Sequence, residues 1–149
     1  ESVEIVDQAT EATESETIAV IEETLFPILE SGFMENIINV AGKGKPAIEF
    51  LLEVISGYLD EAPHYMNTIR TAYTEKNIGQ FIRNICFLRS DTEYLGGLEF
   101  SHMCRRIEML LEQEYPLPWH KISIPNLEKC FNQTYAQIKK ASEHYASLL

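Results

Sequence analysis

Basic charge is scarce in this chain: 12 Lys and Arg stand against 23 Asp and Glu, a formal net charge of −11 over 149 residues. That excess repels nucleic-acid phosphates and anionic lipid headgroups, so neither is an expected partner. Long hydrophobic runs are missing, and no stretch approaches the roughly 18 apolar residues of a membrane-spanning helix. Cysteine is sparse and scattered, at Cys86, Cys104 and Cys130. Without a CxxC pair or a Cys/His cluster there is no expected metal site. An odd number of thiols inside apolar stretches fits the reducing cytosol or nucleus. Neither a Gly-rich phosphate loop nor an HExxH, GxSxG or DxDxG pattern occurs. The histidines at 64, 102, 120 and 144 are not paired at i+3 or i+4 with another ligand type. His102 lies opposite Phe100 and Cys104 on its helix and is expected in solvent, and His64 and His144 have polar neighbours. Glu53, Asp60 and Glu61 are spaced like the solvated side of a helix, not like a paired acid and base. Catalysis, a cofactor and a small-molecule ligand are therefore not expected. The opening Glu1-Ser-Val-Glu-Ile has no basic n-region, so it is not a signal peptide, and it lacks an initiator Met, as a piece of a longer chain would.

What is present is helical patterning. Apolar residues make up 45% and charged residues 23%, proportions of an ordinary globular protein. A chain of this length buries roughly two thirds of its unfolded surface, which suits one domain without staples. Residues 1–16 are acidic and rich in Thr and Ser and read as a tail; residues 17–149 read as a single helical domain. Ile18, Ile21, Leu25, Ile28 and Leu29 follow helical spacing until Pro27 interrupts it, and a short piece over 33–40 ends at a Gly-Lys-Gly-Lys turn. Pro46 then opens the longest stripe, Ile48, Leu51, Leu52, Ile55, Tyr58 and Leu59, which resumes beyond Pro63 at Tyr65, Met66 and Ile69. This predicts one long helix bent near Pro63, or two end to end.

Asn77 is an N-cap for the next helix, with Ile78, Phe81, Ile85, Leu88 and Leu95 inward and Gly96-Gly97 as its stop. Residues 98–114 form another helix, with Phe100, Met103, Cys104, Ile107, Leu110 and Leu111 inward. Pro116, Pro118 and Pro125 bracket a loop, and Ser123 caps a last helix with Leu127, Phe131, Ile138, Ala141, Tyr145 and Leu148 along one face. No two-residue alternation rich in β-branched residues occurs. The fold class is all-α: an up-and-down four-helix bundle with additional N-terminal helices.

Two patches exceed what a core needs. Ile82, Cys86, Arg89 and Glu93, spaced four, three and four apart, form a mixed line at the edge of an apolar face. Phe26, Phe33, Met34, Ile37, Ile38 and Val40 crowd a segment too short and broken to bury them all, so an exposed remainder is expected to serve partner binding or simply to cap one end of the bundle.

The stretch Cys86-Phe-Leu-Arg-Ser-Asp-Thr-Glu-Tyr-Leu-Gly96 resembles the signature of the histidine phosphotransfer (HPt) family of fungal and plant phosphorelays, His-x-Leu-Lys-Gly-Ser-x-x-x-x-Gly. Leu88 matches the leucine, Arg89 the lysine and Leu95-Gly96 the apolar-glycine pair. Phe100, Cys104 and Arg105-Arg106-Ile107-Glu108 match the helix that follows, which in the family often carries a cysteine and a closing acidic or amide residue. Gly57-Tyr58-Leu59-Asp60-Glu61-Ala62 falls near the place of the family's second helix, and the likeness covers about residues 45–149.

The resemblance implies an HPt-like bundle that docks response-regulator receiver domains, but the phosphoacceptor histidine is Cys86, the glycine is Ser90 and the serine is Asp91. A thiol attacks only as thiolate, which Arg89 would favour and Glu93 oppose; Asp91 and Glu93 would disfavour a phosphoryl dianion. The expectation is thus a non-enzymatic, HPt-like protein that binds receivers through Ile82, Cys86, Arg89, Ser90, Glu93 and Glu108, takes no phosphate, and competes with active phosphotransfer proteins. Two other readings stay open: a carrier using Cys86 or a displaced His102, and a helical adaptor with unrelated protein partners.

Overall fold

A computed structural model describes residues 26–149. The acidic tail 1–16 and the stripe residues Ile18, Ile21 and Leu25 lie outside the described residues. Five α-helices follow, with no strand among the described residues: α1 (Phe33–Val40), α2 (Gly44–Glu75), α3 (Ile78–Tyr94), α4 (Leu98–Gln113) and α5 (Ile124–Ala146). A 3₁₀ turn, Trp119–Lys121, precedes α5. Among the described residues no helix is long and apolar enough to cross a membrane.

Local chemistry sets several helix ends. The Asn77 side chain accepts from the Gln80 amide at the start of α3, and Ser123 accepts from Asn126 at the start of α5, each satisfying an otherwise orphaned donor. At the end of α3, Gly96 takes a left-handed φ of 91°. There the Gly97 amide donates to Thr92 O and the Gly96 amide to Glu93 O, the Schellman pairing that closes a helix. The centres of the inward stripes are buried, while Ile48, Leu52, Leu59, Tyr65, Met103, Leu110 and Leu111 are half-buried at their edges, and two stripe residues at helix ends are exposed. Ile78, the first residue of α3, is partly exposed, and Leu148 lies beyond the end of α5 in solvent.

The helices pack as an all-helical bundle, α2 contacting α3 and α5, α4 contacting α3 and α5, and α1 lying on α2. Among the four longer helices neighbours run antiparallel. Between α2 and α3 the paired residues are Tyr58 with Thr92, Tyr65 with Phe87 and Tyr73 with Phe81, so one helix ascends as the other descends. The same holds for α2 and α5, through Tyr135 on Leu59 and the ion pair of Arg70 with Glu128.

Pro63 does not divide α2, which is one continuous helix of 32 residues. A proline lacks the amide that would bond to the carbonyl four residues earlier, here Leu59 O. The Tyr135 hydroxyl of α5 donates to that carbonyl instead, at 2.8 Å. The tertiary bond replaces the missing helical one. Tyr135→Phe is expected to cost about 1–2 kcal/mol of stability, because it strips the half-buried Leu59 carbonyl of its donor. Urea unfolding checks this; an unchanged midpoint would mean that water serves the carbonyl equally well.

The N-terminal apolar excess divides. Phe26, Leu29, Met34, Ile37 and Ile38 are buried, Phe33 is half-buried, and Val40 is 89% exposed. His144 is not among polar neighbours: its ring packs between those of Phe26 (6.1 Å) and Tyr145 (5.2 Å), because the segment before α1 folds back over the end of α5.

Candidate functional site

The α3–α4 face gathers most of the residues singled out in the sequence. The Cys86 thiol, half-buried on α3, donates to Glu108 Oε1 of α4 at 2.7 Å. The other oxygen, Glu108 Oε2, lies 2.8 Å from Arg89 Nε. Arg89 also reaches Glu93 Oε2, one turn on, at 3.5 Å. Glu93 in turn accepts from Arg105 of α4 at 3.0 and 3.1 Å. The result is a chain of alternating partners, Cys86, Glu108, Arg89, Glu93 and Arg105, that laces α3 to α4. Helical spacing explains it: Cys86, Arg89 and Glu93 share one side of α3, and Arg105 and Glu108 one side of α4.

Burial and this network together set the state of the thiol. Burial pushes the Cys86 thiol up from its ordinary value, and Glu108, by accepting a hydrogen bond from the thiol and by its charge, pushes further; Arg89 pulls the other way and is outweighed. The carboxylate opposing the thiolate is therefore Glu108 of the neighbouring helix, and not Glu93 as the linear spacing suggested, since Glu93 lies two turns further along α3 and pairs with Arg89 and Arg105. Arg89 is no free cation either: Glu108 and Glu93 flank it and raise its affinity for its proton against the effect of burial. Cys104 and Cys130 are buried, and burial raises both thiols.

Glu108→Gln is expected to speed alkylation of Cys86 by iodoacetamide severalfold and to move the rate–pH profile to lower pH. Removing the carboxylate charge leaves Arg89 as the nearest charge, which favours thiolate. An unchanged profile would show that burial alone sets the reactivity of Cys86.

Of the remaining site residues, Ile82 is half-buried one turn before Cys86, packed on the core. Ser90 is exposed, and so is Asp91, whose carboxyl is raised by partial burial and by the charge of Glu61. Arg105 was matched in the sequence only as part of a motif; that it closes the chain on Glu93 depends on how two helices face one another. Exposed Phe87 follows Cys86 and exposed Met109 follows Glu108, so large apolar side chains border the polar line on both helices. His102 is exposed on α4, about 120° round the helix from Glu108, and no contact joins it to the network. His64 and His120 are also exposed, as are Glu53, Asp60 and Glu61. No group of three or more His, Cys, Asp or Glu among the described residues could hold a metal ion. Compared with known proteins, the chain matches no family model, no curated protein and no solved structure.

Proposed function

We propose that this chain is an HPt-like four-helix protein that binds receiver domains of two-component phosphorelays without accepting phosphate, and so competes with active phosphotransfer proteins. The observation that carries this reading is the protonated Cys86 thiol held on Glu108, beside an arginine already shared by two carboxylates. A phosphoacceptor needs a nucleophile with a free electron pair and a cation to steady the incoming charge. Here the thiol keeps its proton in the bond to Glu108, Arg89 is engaged, and Glu93 and Glu108 would repel a dianion. Antiparallel neighbours α2, α3, α4 and α5 agree with the HPt-like bundle that the motif implies. Ile82, Cys86, Arg89, Ser90, Glu93 and Glu108, bordered by Phe87 and Met109, offer an apolar and charged face of the kind a protein partner takes.

The test is transfer from a radiolabelled, phosphorylated receiver domain, run beside a working HPt protein, with receiver binding followed by calorimetry. No label on the wild type together with a measurable heat of binding is expected. Label that disappears in Cys86→Ala would make the chain a cysteine carrier, and absence of receiver binding at high concentration would remove the proposal.

A further inference from the structure

Away from the Cys86 face, α1 leaves an apolar groove open. Phe33, Ile37 and Val40 of α1 form one wall, at spacings of four and three, and Phe50 of α2 and Tyr94 at the end of α3 complete a space of about 730 Å³. Val40 is 89%, Tyr94 52% and Phe50 45% exposed, an unusual concentration of large apolar side chains in solvent. Tyr94 also lines a second hollow, so the two adjoin at its ring, and that hollow is walled by Glu53 and Glu61 of α2 and Asp91 of α3. Among the described residues no lysine or arginine pairs with any of these three carboxylates. Partial burial and, after it, the charge of Glu61 raise the Asp91 carboxyl, and a cation beside the pair would offset both. Cys86, Arg89 and Glu108 line neither hollow.

We infer that this surface receives an amphipathic helix of a partner protein, its apolar face in the groove and its Lys or Arg residues one or two turns on, against Glu53, Glu61 and Asp91. The length fits: from Phe50 to Glu61 along α2 is about 16 Å, three turns of a docked helix. Helix-in-groove recognition uses anchors at i, i+3 or i+4 and i+7, and the charged end sets direction and partner. Charge complementarity selects a basic occupant. Residues 1–25 of this chain hold eight Asp and Glu and no Lys or Arg, and a second copy brings a net charge of −11, so both meet the acidic end with like charge.

The full chain is titrated into a fluorescent synthetic peptide of about 18 residues, with leucines at helical spacing and Lys and Arg in its last turns, and into a twin whose basic residues are replaced by Glu. The basic peptide is expected to bind at least about tenfold tighter than its twin, with the difference shrinking as salt rises. Val40→Asp and Glu61→Lys, both at exposed positions, are each expected to weaken it by roughly tenfold with the far-ultraviolet circular dichroism unchanged. Equal affinity for both peptides, no binding, or binding indifferent to both substitutions would overturn the inference. Self-association of the chain abolished by Val40→Asp would also overturn it, by making a second copy the occupant. No receiver domain takes part, so the outcome is independent of the proposal made for the Cys86 face.

Discussion

Phe81→Ala is expected to remove about 3–5 kcal/mol of stability and to lower the thermal midpoint by roughly 10 °C or more. Phe81 is fully buried in the first turn of α3. Its ring meets Trp119 edge-on at 5.1 Å and Tyr73 at 6.3 Å, and Tyr73 and Trp119 are themselves 5.6 Å apart. Three rings from three segments thus share one junction: the end of α2, the start of α3 and the turn before α5. Two of them cannot readily move into the space that Phe81 leaves. The Tyr73 hydroxyl donates to the carbonyls of Trp119 and Ile122 at 3.3 and 3.4 Å, and Lys76 Nζ sits 4.0 Å from the Tyr73 ring centre. A site that cannot collapse keeps its cavity, which places the cost in the upper part of the range for such truncations. Since a domain of this size has about 5–15 kcal/mol in all, the variant should unfold well below the denaturant concentration that unfolds the wild type. A loss below about 1.5 kcal/mol would mean that the rings close up after all.

Gly97→Ala is expected to cost about 3 kcal/mol, at the high end for overpacking, although it adds only one methyl group. A Cβ at Gly97 would lie 2.4 Å from Thr92 Cγ2, 2.8 Å from Thr134 Cγ2 and 3.2 Å from Thr92 O. Neither methyl can rotate away freely. The Thr92 hydroxyl shares a 2.9 Å hydrogen bond with buried Tyr58, and the Thr134 hydroxyl donates to Cys130 O at 2.8 Å. Relieving the clash at either threonine breaks one of these bonds or shifts α3 against α5. Gly57→Ala is the control: a Cβ there meets nothing within 4 Å, in mid-helix, so it should gain up to about 1 kcal/mol from the lower entropy of the unfolded chain. Chemical denaturation of the pair reads both signs, and equal effects at the two glycines would dismiss the packing account.

Consequences for the α3–α4 face follow from both substitutions. Phe81 anchors the start of α3 and Gly97 sets how closely α3 turns into α4, so Cys86 and Glu108 meet at 2.7 Å only while both junctions hold. Faster alkylation of Cys86 in either variant, at temperatures where the helices are intact, would report that loosening.

The amino-acid sequence by itself determined which segments are helical and where most of them stop. Asn77, Ser123 and Gly96 act within a turn of their own backbone, and the apolar stripes that bury Leu51, Ile55, Phe81, Ile85, Leu127 and Ile138 repeat at the helical period. Such signals are local, and the backbone needs no distant partner to obey them. Cys86, Arg89 and Glu93 could likewise be placed on one side of a helix by spacing alone. What Pro63 would do was beyond local reach, because the group that replaces its missing bond, the Tyr135 hydroxyl, comes from a helix 72 positions later. The partner of the Cys86 thiol was equally hidden. A carboxylate 22 residues away outweighs one seven residues away, since bonding depends on which sides of α3 and α4 face each other, and only the packed bundle sets that. The groove beside Val40 belongs to the same class: apolar excess was visible in the sequence, but which of its side chains would find cover depended on how α1 lies across α2.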